Sequence, residues 1–304
     1  MIKLHVSSET ARLREVILGW PHSNGPAPTP EQTFDSKSYE SATHGVYPTE
    51  QDIVREMDAF EKVLLKYGVK VYRPYEVPDC NQVFARDVGF VIDDKIIVSN
   101  VIPDRQAEID AYEPIYSQIH YKQIYNLPET VHVEGGDVVL YGNTIYVGQY
   151  NFPDYPQVKT ARTNTLAIEY LKMIFPDREI IPLNLRKSDT DPYEGILHLD
   201  CTFMPVGRGK AIIYRHGFMN PRDAQHLIDR FGRENVFEVN IDEMYAMNTN
   251  IFSISEDVVV IEEHFRRLGA WLESQGITVE TVPYREISKM GGLLRCSTLP
   301  LVRD

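Results

Sequence analysis

The stretch DVGFVIDDKIIV (Asp87 to Val98) runs from a polar residue into an apolar strand, a tight polar turn and a second apolar strand. That density of β-branched and aromatic residues, split by Asp93-Asp94, predicts a β-hairpin. The pattern returns as DVVLYGNTIYV from Asp137, as DCTFMPVGRGKAIIY from Asp200 and as NIFSISEDVVVIEE from Asn250. A fifth copy is divided between the two ends of the chain: REVILG (Arg14 to Gly19) combines with CSTLPLV (Cys296 to Val302). The leading positions are 87, 137, 200, 250 and 296, which lie 50, 63, 50 and 46 residues apart. Equivalent hairpins in a closed ring bring their leading ends to one axis, and radial repetition limits exposed sheet edges. The alternative is one open α/β sheet with several hairpins.

Helices alternate with these strands. Ile53, Met57, Phe60 and Leu64 recur at helical spacing, and Gly68 follows as a stop. Thr163 is expected to cap a helix whose inner face is Ala167, Tyr170, Leu171 and Ile174. Asn220-Pro221 starts a further helix, and Phe265, Leu268 and Leu272 mark another that Gly276 ends. Residues 21–50 are rich in Pro, Ser, Thr and Gly with no apolar period, so they are expected to form a long loop or lid. No linker or low-complexity segment divides the 304 residues, which are expected to form a single domain, 1–304.

Lys and Arg total 31 against 44 Asp and Glu, a net charge of −13, which argues against nucleic acid and suits a small cationic partner. No apolar run is long enough to span a membrane, and the first residues lack the pattern of a signal peptide. Three scattered cysteines, Cys80, Cys201 and Cys296, fit neither a disulfide framework nor a zinc site, so the expected compartment is the cytoplasm. Whether the protein is a homo-oligomer stays open.

The leading positions of the repeats carry chemistry. A lone Cys such as Cys296 is more often a small buried hydrophobe than a nucleophile. Glu134 in VEGGD and Asp87 after Arg86 could each be a bend or a strand end. His198 and Asp200 in LHLDCTF share a face if the segment is extended. Taken together, a Cys, a His and several carboxylates at matching places suggest nucleophilic catalysis on a cationic electrophile. A guanidinium fits, because its planar N–H fork matches carboxylates bidentately.

The segments FARD (84–87), EGGD (134–137), ARTN (161–164), HLDCTF (198–203) and GGLLRC (291–296) resemble the guanidine-modifying enzyme superfamily of arginine deiminases, dimethylargininase and amidinotransferases. The resemblance runs from about Arg14 to Asp304. It implies the pentein fold, an α/β five-fold pseudosymmetric β/α propeller, with no metal and no cofactor. By matching position it implies Cys296 as nucleophile, His198 as general acid/base and Glu134 as the carboxylate orienting it. It implies Asp87 and Asp200 as the pair gripping the guanidinium, and Arg162 as a partner of the substrate carboxylate. Asn81 and Phe84 fall in the segment lining the same pocket.

The implied reaction cleaves a guanidinium C–N bond of arginine or a related guanidino compound through a thiouronium on Cys296. Attack by water makes the enzyme a hydrolase, which EGGD and CSTLPL favour. Attack by an amine makes it an amidinotransferase, which HLDCTF, ARTNTLAIEYL and the three residues between Gly292 and Cys296 favour. Asp200 points to an unmethylated guanidine. The arginine that deiminases carry before the glycine pair is missing, and Arg105 or Lys289 could replace it. Two rivals are a non-catalytic pentein binding protein and a cysteine amidase, the latter needing no paired aspartates near the thiol.

Overall fold

The two ends of the chain meet in one sheet, in a computed structural model that describes residues 1–304. β1 (Leu13–Leu18) pairs antiparallel with β15 (Thr298–Arg303) and parallel with β2 (Lys70–Tyr72). The register opposes Leu18 to Thr298, so the closing strand begins two residues after Cys296. The divided fifth repeat is therefore one sheet.

The four continuous repeats copy that arrangement. β3 (Gly89–Ile92) and β4 (Lys95–Val98) form a hairpin, with β5 (Ile124–Asn126) parallel to β4. β6 (Val138–Tyr141), β7 (Thr144–Gln149) and β8 (Glu179–Asn184) repeat it. So do β9 (Phe203–Val206), β10 (Lys210–Ile213) and β11 (Val236–Glu238). The last copy is β12 (Phe252–Ser255), β13 (Val258–Glu262) and β14 (Thr278–Val282). Five three-stranded sheets result, and the architecture is the five-fold pseudosymmetric β/α propeller of the pentein type. Two parallel strands cannot be joined by a tight turn, so each hairpin reaches its third strand through a crossover. In four blades the crossover carries a helix of nine or more residues, Glu50–Lys66, Thr165–Ile174, Pro221–Phe231 or Arg266–Ser274.

Local chemistry explains the turns. Asp93 and Gly142 take the left-handed backbone conformation, φ 54° and 57°, that two-residue hairpins require. Thr49, Asn164 and Asn220 accept from the first-turn N–H groups of the helices they precede. The cap of Thr165–Ile174 is thus Asn164 and not Thr163, whose hydroxyl instead donates to Asp137 Oδ2 at 2.7 Å. No helix is long and apolar enough to cross a membrane.

Two further expectations change. Residues 21–50 are not uniformly irregular: they contain a short turn, Pro30–Gln32, and a helix, Ser36–Thr43, capped by Asp35. The helix escapes a search for apolar period because the side chains it buries are serines, of which Ser41 donates to Lys289 O at 2.8 Å. The His198 segment is not extended either. His198 precedes a tight 3₁₀ turn, Leu199–Cys201, so His198 and Asp200 do not share a strand face.

The crossover helices bury their apolar faces between blades. Phe60 meets Phe252 and Tyr284 edge-on, each with ring centroids 5.7 Å apart. Phe60→Ala is expected to cost about 3–5 kcal/mol, through lost burial and the cavity left among those rings. Urea denaturation should show a lower midpoint with an unchanged slope; an unchanged midpoint would place Phe60 outside the core.

Candidate active site

Each blade's first strand is entered through a short segment pointing at the axis. Asp87 lies in Ala85–Val88 before β3, and Glu134 precedes the turn Gly135–Asp137 before β6. His198 precedes Leu199–Cys201 before β9, while Asn250 and Cys296 lie two residues before β12 and β15. Hydrogen bonds tie these heads to one another. The Arg86 N–H donates to Cys296 O at 2.9 Å, and the Leu199 N–H donates to Asp137 Oδ1 at 2.9 Å. The heads that carry Asp87 and Cys296, 209 positions apart in sequence (296 − 87), thus meet at one cavity of about 340 Å³.

Cys296, His198, Asp87, Arg162, Asn81 and Phe84 line that cavity. Glu134 and Asp200 do not; they lie behind it, 1% and 0% exposed. His198 Nε2 bonds Glu134 Oε2 at 2.9 Å, and its Nδ1 lies 3.7 Å from Asp87 Oδ1. Both Nδ1 and that Oδ1 are buried without a partner, so a donor and an acceptor are open at the cavity floor. Gly136 lies against the imidazole: a Cβ there would sit 2.6 Å from Nδ1, so only glycine leaves room for the ring. Gly291, at φ 86°, packs as tightly on Asp35, where a Cβ would be 2.3 Å from Oδ1.

Three arginines hold the carboxylates. Arg105 donates to Asp87 Oδ2 at 2.6 Å and bidentately to Glu108 at 2.7 Å. Arg162 bridges both oxygens of Glu134 at 3.0 Å and donates to Phe34 O at 2.8 Å and Lys159 O at 2.5 Å. Arg162, expected at a substrate carboxylate, is thus engaged with Glu134. Lys289 pairs with Glu286 and does not line the cavity. Asp200 departs most from expectation. Its Oδ2 accepts from Arg295 at 2.8 Å, and it lies behind Cys296, 3.8 Å from Sγ. Arg295 also reaches Glu9 at 2.8 Å and the carbonyls of Val138 and Gly135.

Charge follows geometry. Burial raises the Glu134 pKa, but Arg162, the His198 hydrogen bond and Arg105 outweigh it and hold the carboxyl at about 2. Burial lowers the His198 pKa, and the carboxylates of Asp87, Asp137 and Glu134 outweigh it, bringing it to about 8. Burial and then Asp200 push the Cys296 thiol well above its usual range. Asp87, Glu134 and His198 also offer three metal-ligand atoms within 4.8 Å of one another. Arg162 takes both oxygens of Glu134 there, while Asp87 gives Oδ2 to Arg105 and keeps Oδ1 unpartnered.

Sequence reasoning gave no role to Glu9, Glu108, Asn250 or Arg295. Arg295 was visible as the neighbour of Cys296 and Asn250 as a repeat head, whereas nothing local marks Glu9 or Glu108. Residues 21–50 form much of the cavity wall, from Asn24 through Asp35 to Tyr47.

The model of the family described as N,N-dimethylarginine dimethylhydrolase, eukaryotic, matches residues 30–303. An uncharacterized protein, YkgA, of Bacillus subtilis (strain 168) is 32% identical over 225 residues, 73% of this chain and 70% of its own length. Among solved structures, an amidinotransferase of the saxitoxin biosynthetic pathway from Microseira wollei superposes with a TM-score of 0.77 at 19% identity, covering 99% of this chain and 97% of that one. The N-terminal domain of ArgZ, a cyanobacterial arginine dihydrolase, gives 0.74 at 20% identity over 95% and 97%. The inosamine-phosphate amidinotransferase of Streptomyces griseus gives 0.74 at 16% over 100% and 97%. At these identities the structures establish the fold.

The imidazole carries a stability consequence. Its folded pKa of about 8 lies above the ~6.5 of a free histidine, so it stabilises the fold fully below pH ~6.5 and loses that contribution as pH rises through 8. The shift corresponds to about 2 kcal/mol. Denaturant midpoints measured from pH 6 to 9 should fall more steeply in the wild type than in His198→Asn by that amount. Parallel profiles would mean that the His198 pKa is the same in the folded and unfolded chain.

Proposed function

The chain belongs to the N,N-dimethylarginine dimethylhydrolase family, within the guanidine-modifying superfamily, and from that premise we propose that it hydrolyses a guanidinium C–N bond of arginine or a related guanidino compound through a covalent intermediate on Cys296. The observation that carries this is the meeting, in one cavity, of Cys296 with the unpartnered Nδ1 of His198 and Oδ1 of Asp87.

A guanidinium carbon is a poor electrophile because resonance spreads its charge. Asp87 Oδ1 accepts one substrate N–H and keeps the group protonated, while Arg105 holds the other carboxylate oxygen in place. Cys296 Sγ attacks the carbon as thiolate. The substrate cation, bound between sulfur and Asp87, offsets the carboxylates that oppose ionisation of the thiol. The tetrahedral adduct collapses when His198, protonated near neutral pH, passes its Nδ1 proton to the departing amine. Glu134 fixes the ring through Nε2. Neutral His198 then takes a proton from water, which attacks the thiouronium carbon; the C–S bond breaks, releasing a urea and the thiolate. An amine attacking in place of water would make the protein an amidinotransferase. Family membership favours water.

The resemblance points to an unmethylated guanidine, because relatives that act on unsubstituted guanidines carry an aspartate at the place of Asp200. Asp200 faces Arg295 behind the cavity and is not in its lining, and on that observation an Nω-methylated arginine is a candidate substrate beside arginine. Residues 21–50 act as the cover of the bound substrate.

The protein should be incubated with arginine, dimethylarginine and decarboxylated arginine, each with and without an acceptor amine, and the products weighed by mass spectrometry. The expected product is the corresponding urea with ammonia or dimethylamine. A new guanidino compound formed only with the added amine would establish transfer, and no consumption of any substrate would sink the proposal. With an accepted substrate, Cys296→Ser is expected to abolish turnover. Asp87→Asn should lower kcat/KM by roughly 30-fold to several thousand-fold, equivalent to ~2–5 kcal/mol. Retained activity in either variant would remove that residue from the reaction.

A further inference from the structure

The fourth strand head, Asn250, has no role in the reaction as written above. Its side chain is nevertheless fully buried against the nucleophile. Oδ1 accepts from the backbone N–H of Arg295 at 3.0 Å and of Cys296 at 3.2 Å. Nδ2 lies 3.1 Å from Cys296 Sγ. The two backbone donors decide which way the amide points. Only an acceptor can meet two N–H groups, so the oxygen faces them and the nitrogen faces the sulfur.

We propose that Asn250 is a catalytic residue, which donates an Nδ2–H hydrogen bond to Cys296 Sγ and stabilises the thiolate form of the nucleophile. The proposal rests on Cys296 being the nucleophile of the reaction above. Asn250 itself gives and takes no proton; the thiol proton leaves to water, and the amide N–H then meets an anionic acceptor, to which hydrogen bonds are about twice as strong.

The surroundings explain why an amide serves here. The other side chain in hydrogen-bonding reach of Sγ is Asp200, whose oxygens lie 4.0 and 3.8 Å away and oppose ionisation. Arg295, next in sequence, is directed to Asp200 and Glu9 and makes no hydrogen bond to the sulfur. A lysine or arginine against Sγ would make the thiolate more readily and would also repel a cationic substrate from the carbon to be attacked. A neutral donor stabilises the sulfur anion without placing positive charge where the guanidinium must bind.

The test needs no substrate. Alkylation of Cys296 by the neutral reagent iodoacetamide is followed from pH 6 to 10 by mass spectrometry of the peptide that contains it, with Cys80 as internal control. Asn250→Asp keeps the oxygen that anchors the two backbone N–H groups, and those donors hold the new carboxylate ionised. It therefore replaces the donor at the sulfur by negative charge while preserving position. Asn250→Ala removes donor and anchor together. At pH 8 the expected alkylation rates are at least ten-fold below wild type in Asn250→Ala and lower still in Asn250→Asp, with Cys80 unchanged. A merely structural Asn250 predicts the opposite order, because the aspartate retains the anchor. Wild-type rates in either folded variant, or that opposite order, would overturn the proposal. Should the aspartate variant not fold, the pH profile of Asn250→Ala decides: an apparent thiol pKa moved up with an unchanged plateau rate above it supports the proposal, and a rate lowered at every pH with an unchanged apparent pKa overturns it. These outcomes leave the guanidine reading untouched; that reading fails separately, if wild-type protein consumes no guanidino compound.

Discussion

A guanidinium group with no water around it must be met by charge, and Arg295 is 1% exposed. It is met by Asp200 and Glu9, each at 2.8 Å, and by backbone carbonyls of the second blade. One side chain therefore ties the segment before β1, the heads of the second and third blades, and the residue adjoining Cys296 into a single unit. Removing one partner of such a pair leaves a bare buried charge and costs about 3–5 kcal/mol. The same pairing holds Asp200 behind the sulfur. Asp200 thus acts on Cys296 by its field, and of the two aspartates only Asp87 lines the cavity.

Division of labour among the carboxylates follows from which arginine each one faces. Glu134, held by Arg162, stays ionised and keeps His198 protonated near neutral pH. Asp87, held on one oxygen by Arg105, keeps the other free. Of the two, only Asp87 turns an unpartnered oxygen to the cavity, whose lining also includes Arg105 and Arg162. The net charge of −13 seen in composition has a local counterpart at Asp35, Glu50, Asp79 and Asp104, which also line that space.

Much of this was legible because hairpins are local. Strand alternation and the turns at Asp93-Asp94 and Gly142-Asn143 lie within about a dozen residues, so the repeat and its convergent heads could be read directly. The site residues on those heads followed from their matching places. What could not be read depends on distant partners. Glu9 and Arg295 are 286 positions apart, and neither carries a local mark of the other. The helix Ser36–Thr43 buries serines, so hydrophobic periodicity is blind to it. Asp200 was correctly placed at a head, but its orientation was decided by an arginine supplied from another blade. Asn250 could be placed at a head and given no chemistry, because an amide becomes informative only once its neighbours on both sides are known.

The closing sheet has a consequence for how the protein is made. β1 is among the first elements to be synthesised, while β15, its antiparallel partner, follows after all the other blades. Until then the nascent chain holds four heads and an open edge at β1, with no sulfur at the axis. Ring closure and completion of the cavity are then one event, delayed by a long chain separation that slows contact formation. An incomplete or frayed ring would be a carboxylate-lined cleft without Cys296, so this geometry couples completion of the cavity to finished folding.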